Sequence, residues 1–191
     1  MAEIKQEKLS KKKKEWFEIL ASKEFNEIPI GETISFNTDS LIGRTLYINL
    51  ASLTNDVRMQ NVRVKLTISD VKNKKAYTKL ENYEVLPAFV RRVVKLEKDR
   101  VDDSFLYKTK DDNTVVVKPL LITKNKVKKS ILSNLRLNAR DFLEKYIQKT
   151  SYDDLVLDLI NYKLQKELKN NLKRVYPLDV AEIRMMELVK K

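Results

Sequence analysis

The sequence predicts an α+β domain: a small β-barrel or a curled antiparallel or mixed sheet, covered by helices and preceded by a basic N-terminal arm. Three observations carry that expectation. From Thr33 to Thr78 apolar and polar residues alternate, the period of strands with one buried face. In the last third, apolar residues recur at spacings of three and four, the period of helices packed along one side. The first fourteen residues hold six lysines and end in Lys11, Lys12, Lys13 and Lys14, ahead of Trp16 and Phe17. Clustered like charges resist compaction, so this run has no core to build.

Residues 1–14 are therefore read as the arm and 15–191 as a single domain, strand-rich over 30–123, with two long helices over about 126–174. Trp16 and Phe17 are expected to anchor the arm, and the segment from Trp16 to Phe25 fits either strand or helix. A turn follows at Pro29-Ile30-Gly31. Leu46, Ile48 and Leu50 form the inner face of one strand, and Val62, Val64, Leu66 and Ile68 that of another. Asn55-Asp56 and Lys72-Asn73-Lys74-Lys75 are the polar connections. Pro87 opens a helix running to about Arg100, because the first helical position leaves its missing N–H without consequence. Phe105-Leu106-Tyr107 and Val115-Val116-Val117 read as a hairpin across Asp111-Asp112-Asn113, with a further strand at Leu120–Thr123 after Pro119. Ile131, Leu132, Leu135, Ala139, Phe142, Leu143 and Tyr146 stripe the first long helix. Leu155, Val156, Leu159, Ile160, Leu164, Leu168 and Leu172 stripe the second, which Ser151 and Asp154 cap. Periodicity leaves 180–191 open between strand and helix.

Composition narrows the chemistry. The 191 residues are 42% hydrophobic, enough for a core, and 35% charged, with a net charge of +12. A compact body with that excess calls for a charge-neutralising partner: RNA, DNA or an anionic membrane surface. No apolar run nears the roughly 20 residues of a spanning helix, and no signal-peptide pattern opens the chain, so a cytoplasmic protein is expected. Cysteine and histidine are absent. That excludes disulfides, Cys/His zinc sites, thiol nucleophiles and imidazole bases. Two glycines, Gly31 and Gly43, are too few for a phosphate-cradling loop. No catalytic site, metal or cofactor is expected.

The candidate RNA-binding residues are Lys11, Lys12, Lys13 and Lys14 of the arm; Lys72, Lys74 and Lys75 of a hairpin loop; and Lys124, Lys126, Lys128 and Lys129 before the first long helix. Cations at a helix N-terminus oppose its dipole at about a few tenths of a kcal/mol each, a penalty that bound phosphate would offset. Arg44, beside the turn at Gly43, is a further candidate phosphate contact. Trp16, Phe17, Phe25, Phe36, Tyr47, Tyr77, Tyr83 and Tyr107 are read first as packing residues and second as base-stacking platforms. The paired carboxylates Asp102-Asp103, Asp111-Asp112 and Asp153-Asp154 are the only material for a two-metal nuclease. Adjacent aspartates on a strand point to opposite faces, and each pair has a plain structural role.

Several segments resemble a known family in order along the chain. Lys12-Lys13-Lys14-Glu15-Trp16-Phe17 with Phe25-Asn26-Glu27-Ile28, the block Gly43–Asp56, and Val175-Tyr176-Pro177-Leu178 with Val180, Ile183-Arg184 and Lys190-Lys191 are similar to the archaeal and eukaryotic small-subunit ribosomal protein family eS1, formerly S3Ae. The Gly43–Asp56 and Tyr-Pro-Leu blocks are its specific parts. The short arm and the stop at Lys191 look like the archaeal form. The resemblance implies a β-barrel body with flanking helices and no catalysis. It also implies a seat on the small-subunit platform near the messenger exit, with contacts to rRNA and neighbouring ribosomal proteins. A free-standing RNA-binding factor acting outside the ribosome is the alternative.

Overall fold

The computed structural model describes residues 13–189. The first half is built of β1 (Glu15–Leu20), β2 (Pro29–Ser35), β3 (Thr45–Asn49), α1 (Leu50–Thr54), β4 (Val62–Lys72), β5 (Lys75–Val85) and α2 (Pro87–Val93). The second comprises β6 (Arg100–Asp102), β7 (Phe105–Lys108), β8 (Thr114–Thr123), α3 (Lys129–Ile147), α4 (Tyr152–Ile160), α5 (Lys163–Leu172) and β9 (Leu178–Leu188).

The strands form one nine-stranded mixed sheet in the order β2-β1-β5-β9-β8-β6, with β3 joined through β4 to β5 and β7 to β8. All pairings are antiparallel except β1 with β5. The expected barrel or curled sheet is thus corrected: the pairing branches at β5 and β8, and among the described residues no ladder closes it into a ring. Alternation along a strand reports which face is buried and carries no information on closure. The final segment, left open by periodicity, is β9, lying between β5 and β8.

Where alternation is regular, the strands follow it. Val62, Val64, Leu66 and Ile68 are buried, and β8 runs unbroken through the segment read as two strands. Pro119 is accommodated at a bulge in the β8–β9 ladder, where a missing N–H is tolerated. In the β4–β5 ladder Lys65 faces Asn82 and Leu66 faces Leu80, so Glu81 is bulged. The core lies between the sheet and α3–α5, with Leu66, Tyr83 and Ile183 meeting Leu135, Leu143 and Leu168.

Three element boundaries differ from expectation. Leu50 does not continue a strand: Asn49 caps α1 by accepting the Ala51 N–H at 2.9 Å, and a 3-10 turn at Val57–Asn61 follows. The helix opened by Pro87 ends at Val93 rather than near Arg100, and Leu96 is 93% exposed. The second long helix is two helices. Tyr162 takes the left-handed conformation (φ 56°) between α4 and α5, which redirects the chain while both apolar stripes stay buried. Ser151 caps α4 as read, accepting the Asp154 N–H at 3.2 Å.

Candidate nucleic-acid interface

Strand alternation divides the expected anchor pair. Phe17 is buried with Ile19, Leu41, Ile68 and Ala76 in a small second core, whereas Trp16 faces outward at 62% exposure. Of the two rings, only Phe17 is packed into the body. Of the arm's basic residues, Lys11 and Lys12 lie outside the described residues. Lys13 and Lys14 are exposed, and the Lys14 ammonium sits 5.2 Å from the centroid of the Phe36 ring.

The fold brings this base and the β4–β5 hairpin to one edge, which sequence order hides. The Glu18 N–H donates to the Lys74 carbonyl at 3.0 Å, and the parallel ladder sets Glu18 opposite Lys75. The turn is tight, with Asn73 (φ 50°) and Lys74 (φ 62°) both left-handed. Lys72 pairs with Asp70 at 2.6 Å, Lys74 with Glu15 at 3.1 Å and Lys75 with Glu18 at 4.0 Å. The hydrogen bond from Lys72 holds the Asp70 carboxyl below its usual range, and the same bond raises the Lys72 ammonium. All these pairs are exposed, so water and salt screen them and each holds its lysine only weakly.

Gly43 (φ 86°) turns the chain into Arg44, which reaches the same edge. The Arg44 Nη1 donates to Thr33 Oγ1 at 3.1 Å and to the Ile34 carbonyl at 3.3 Å, while Nε donates to the Ser40 carbonyl at 3.1 Å. Arg44 thus clasps the loop before β3 onto β2. Among the described residues its Nη2 has no hydrogen-bond partner.

A second basic surface forms at the start of α3. Lys124, Lys126, Lys128 and Lys129 are all exposed, and among the described residues none is paired with a carboxylate. Lys128 occupies the N-cap position of α3 with no side-chain cap, leaving the first amides of the helix open. Local hydrogen bonds fix the loop's path. The Asp99 carboxylate accepts the Val127 N–H at 2.7 Å, Thr123 Oγ1 donates to the Asn125 carbonyl at 2.7 Å, and the Lys124 N–H reaches the Pro177 carbonyl at 3.3 Å. These contacts gather the turn before β6, the loop before α3 and the start of β9.

That convergence adds Lys95, Lys98 and Lys169, which were not among the candidates. Lys98 pairs with Asp179, and Lys169 donates to the Asp179 carbonyl at 2.8 Å. The Lys98 hydrogen bond, followed by the charges of Lys98, Lys169 and Lys95, holds the Asp179 carboxyl below its usual range. Lys95 and Lys98 come from the segment after α2 and Lys169 from α5, so only tertiary contact brings them together at Asp179.

The remaining candidates are dispersed. Phe25, Tyr83 and Tyr107 are buried, Tyr77 is half-buried, and Tyr47 is exposed with the Arg63 guanidinium 5.3 Å from its centroid. Asp102 pairs with Arg184 at 3.2 Å, Asp103 with Arg136 at 2.5 Å, and Asp111 accepts the Tyr152 N–H at 3.0 Å. Among the described residues no group of three or more acidic side chains is disposed to hold a metal ion. Nor is any described helix long and apolar enough to cross a membrane.

Comparison with known proteins covers nearly the whole chain. The model of the Ribosomal S3Ae family matches residues 3–191. The small ribosomal subunit protein eS1 of Nanoarchaeum equitans is 32% identical over 166 residues, 87% of this chain and 84% of that protein. Its counterpart in Methanobrevibacter smithii is 31% identical over 172 residues, 90% of this chain and 89% of the relative. That of Methanothrix thermoacetophila is 30% identical over 190 residues, 99% of this chain and 90% of the relative.

Proposed function

Since this chain belongs to the Ribosomal S3Ae family, we propose that it is a non-catalytic structural component of the small ribosomal subunit, working in the cytoplasm. In this reading it holds rRNA on the platform near the messenger exit, beside neighbouring ribosomal proteins, and supports assembly and translation. The family match over residues 3–191 carries the assignment. The net charge of +12 and the lysine groups at two separate edges supply the mechanism, which is neutralisation of backbone phosphates. One contact surface is the arm base with the β4–β5 hairpin. The other is the 124–129 loop with Lys95, Lys98 and Lys169.

Sucrose-gradient fractionation of cell extract at low magnesium tests the reading. The chain should migrate with the free small subunit and stay there through a wash at about 0.5 M salt. Recovery only at the top of the gradient would overturn it in favour of a free RNA-binding factor.

A further inference from the structure

We propose that the outward face at the base of the arm, formed by Trp16, Ile34 and Phe36 beside Lys14, is a stacking platform for unpaired RNA nucleotides. The proposal rests on the RNA-binding reading above and specifies the form of RNA taken at this edge.

Trp16 and Ile34 are directly opposed in the β1–β2 ladder, 62% and 39% exposed. Ser35 is buried, so Phe36 emerges on the same side as Ile34 and is 55% exposed. Large apolar residues exposed singly are ordinary, but three brought together by register make a contiguous patch. Packing does not require Trp16 there, because its neighbour Phe17 already fills the second core. Arg44 holds the β2 rim through the Ile34 carbonyl and Thr33 Oγ1, so the platform is braced from beneath.

Charge selects the occupant. The Lys14 ammonium lies over the Phe36 ring, and Lys13 precedes it at the foot of the arm. On the opposite flank Glu18 and Glu32 face each other two positions further along the ladder. A polyanion therefore meets Lys14 and Lys13 at one end of the aromatic row. At the other it meets Glu32 beside a Glu18 that Lys75 already pairs at 4.0 Å, so its backbone is drawn toward the Lys14 end. Exposed rings beside a lysine suit nucleotides whose base faces are free. In a duplex those faces are already stacked, and a site for phosphates alone has no use for the rings.

Trp16 is the chain's single tryptophan, so its emission reports this face and no other. The full chain should be titrated at fixed salt with a single-stranded oligouridylate, whose bases are largely unstacked, and with an RNA duplex of equal length. The single strand should quench Trp16 emission saturably and the duplex should not. By anisotropy of labelled RNA, Trp16→Ala and Phe36→Ala should each lose about tenfold in single-strand affinity, with duplex affinity unchanged and Trp16→Phe close to wild type. An unchanged far-UV spectrum and thermal midpoint would show that the variants fold. Equal quenching by duplex, or alanine variants that bind the single strand normally, would overturn the platform while leaving phosphate binding intact. Emission indifferent to every RNA and shifted only by other small-subunit proteins would assign the face to protein instead and equally overturn it. Failure to bind either RNA would overturn this proposal and the RNA-binding reading together.

Discussion

Tyr152 ties a helix to a sheet defect through one hydroxyl. Its O–H donates at 2.9 Å to the carbonyl of Leu80, beside the bulge at Glu81, and both groups are buried. Tyr152→Phe should lower stability by about 1–3 kcal/mol in chemical denaturation, because it leaves a buried acceptor unpaired. Glu182 is the opposite case. Among the described residues its Oε2 is shut from solvent without a partner, and burial pushes the carboxyl up from 4.5 to about 7, opposed by the charge of Lys169. The hydroxyls of Tyr83 and Tyr162 also face it and are themselves raised, chiefly by burial. Below pH 4.5 the carboxyl is protonated folded or unfolded and contributes no pH dependence. Between there and about 7 the unfolded chain releases a proton that the folded one keeps, so stability falls as pH rises. The loss approaches about 3 kcal/mol, and Glu182→Gln should remove it from a stability–pH profile. Neither residue could be singled out from sequence, since each depends on what packs against it. At the Trp16–Phe17 pair, which ring turns inward is set by strand phase, which the two residues alone do not reveal.

The elements that were legible share one property, a long and regular apolar pattern. β4 and α3 have it, and their buried faces are those the spacing marks. The hairpins at Lys72–Lys75 and Asp111–Asn113 were legible from turn chemistry, and Asp112 does take φ 56°. Short elements were legible only in part. α1 contains five residues, too few for a helical period to stand out from strand alternation, whereas Pro87 marked the start of α2 but nothing in the spacing marked its end at Val93. The division of α4 from α5 was hidden for another reason: Tyr162, which takes the left-handed conformation there, is not a turn-forming residue. The hairpin at Asn73-Lys74 makes its own prediction. A side chain at φ 62° strains the turn, so Lys74→Gly should raise the thermal midpoint by about 2–4 °C. The same variant should weaken RNA binding by the loss of one cation, read by filter binding, so stability and affinity move in opposite directions.

For the whole molecule, the α+β class and the basic character were legible, while the open branched sheet was not, because register and neighbour order are tertiary facts. The candidate site followed the same division. Its lysine groups stood out in sequence, but the fold alone joins the arm base to the β4–β5 hairpin and draws Lys95, Lys98 and Lys169 toward the 124–129 loop. Replacing Lys124, Lys126, Lys128 and Lys129 together by glutamine should lower the slope of log affinity against log salt by up to about 3 if each holds a phosphate. Salt titration of rRNA-fragment binding measures it, and an unchanged slope would remove that loop from the interface. The position of β9 bears on how the protein is made. β1–β5 and β6–β8 precede it in the chain, and among the described residues β9 is the only strand that joins them by hydrogen bonds. A ribosome synthesising this chain therefore releases two partial sheets before the strand that unites them. Until Leu178–Leu188 clears the exit tunnel, the inner edges of β5 and β8 lack their shared partner and are open to mispairing.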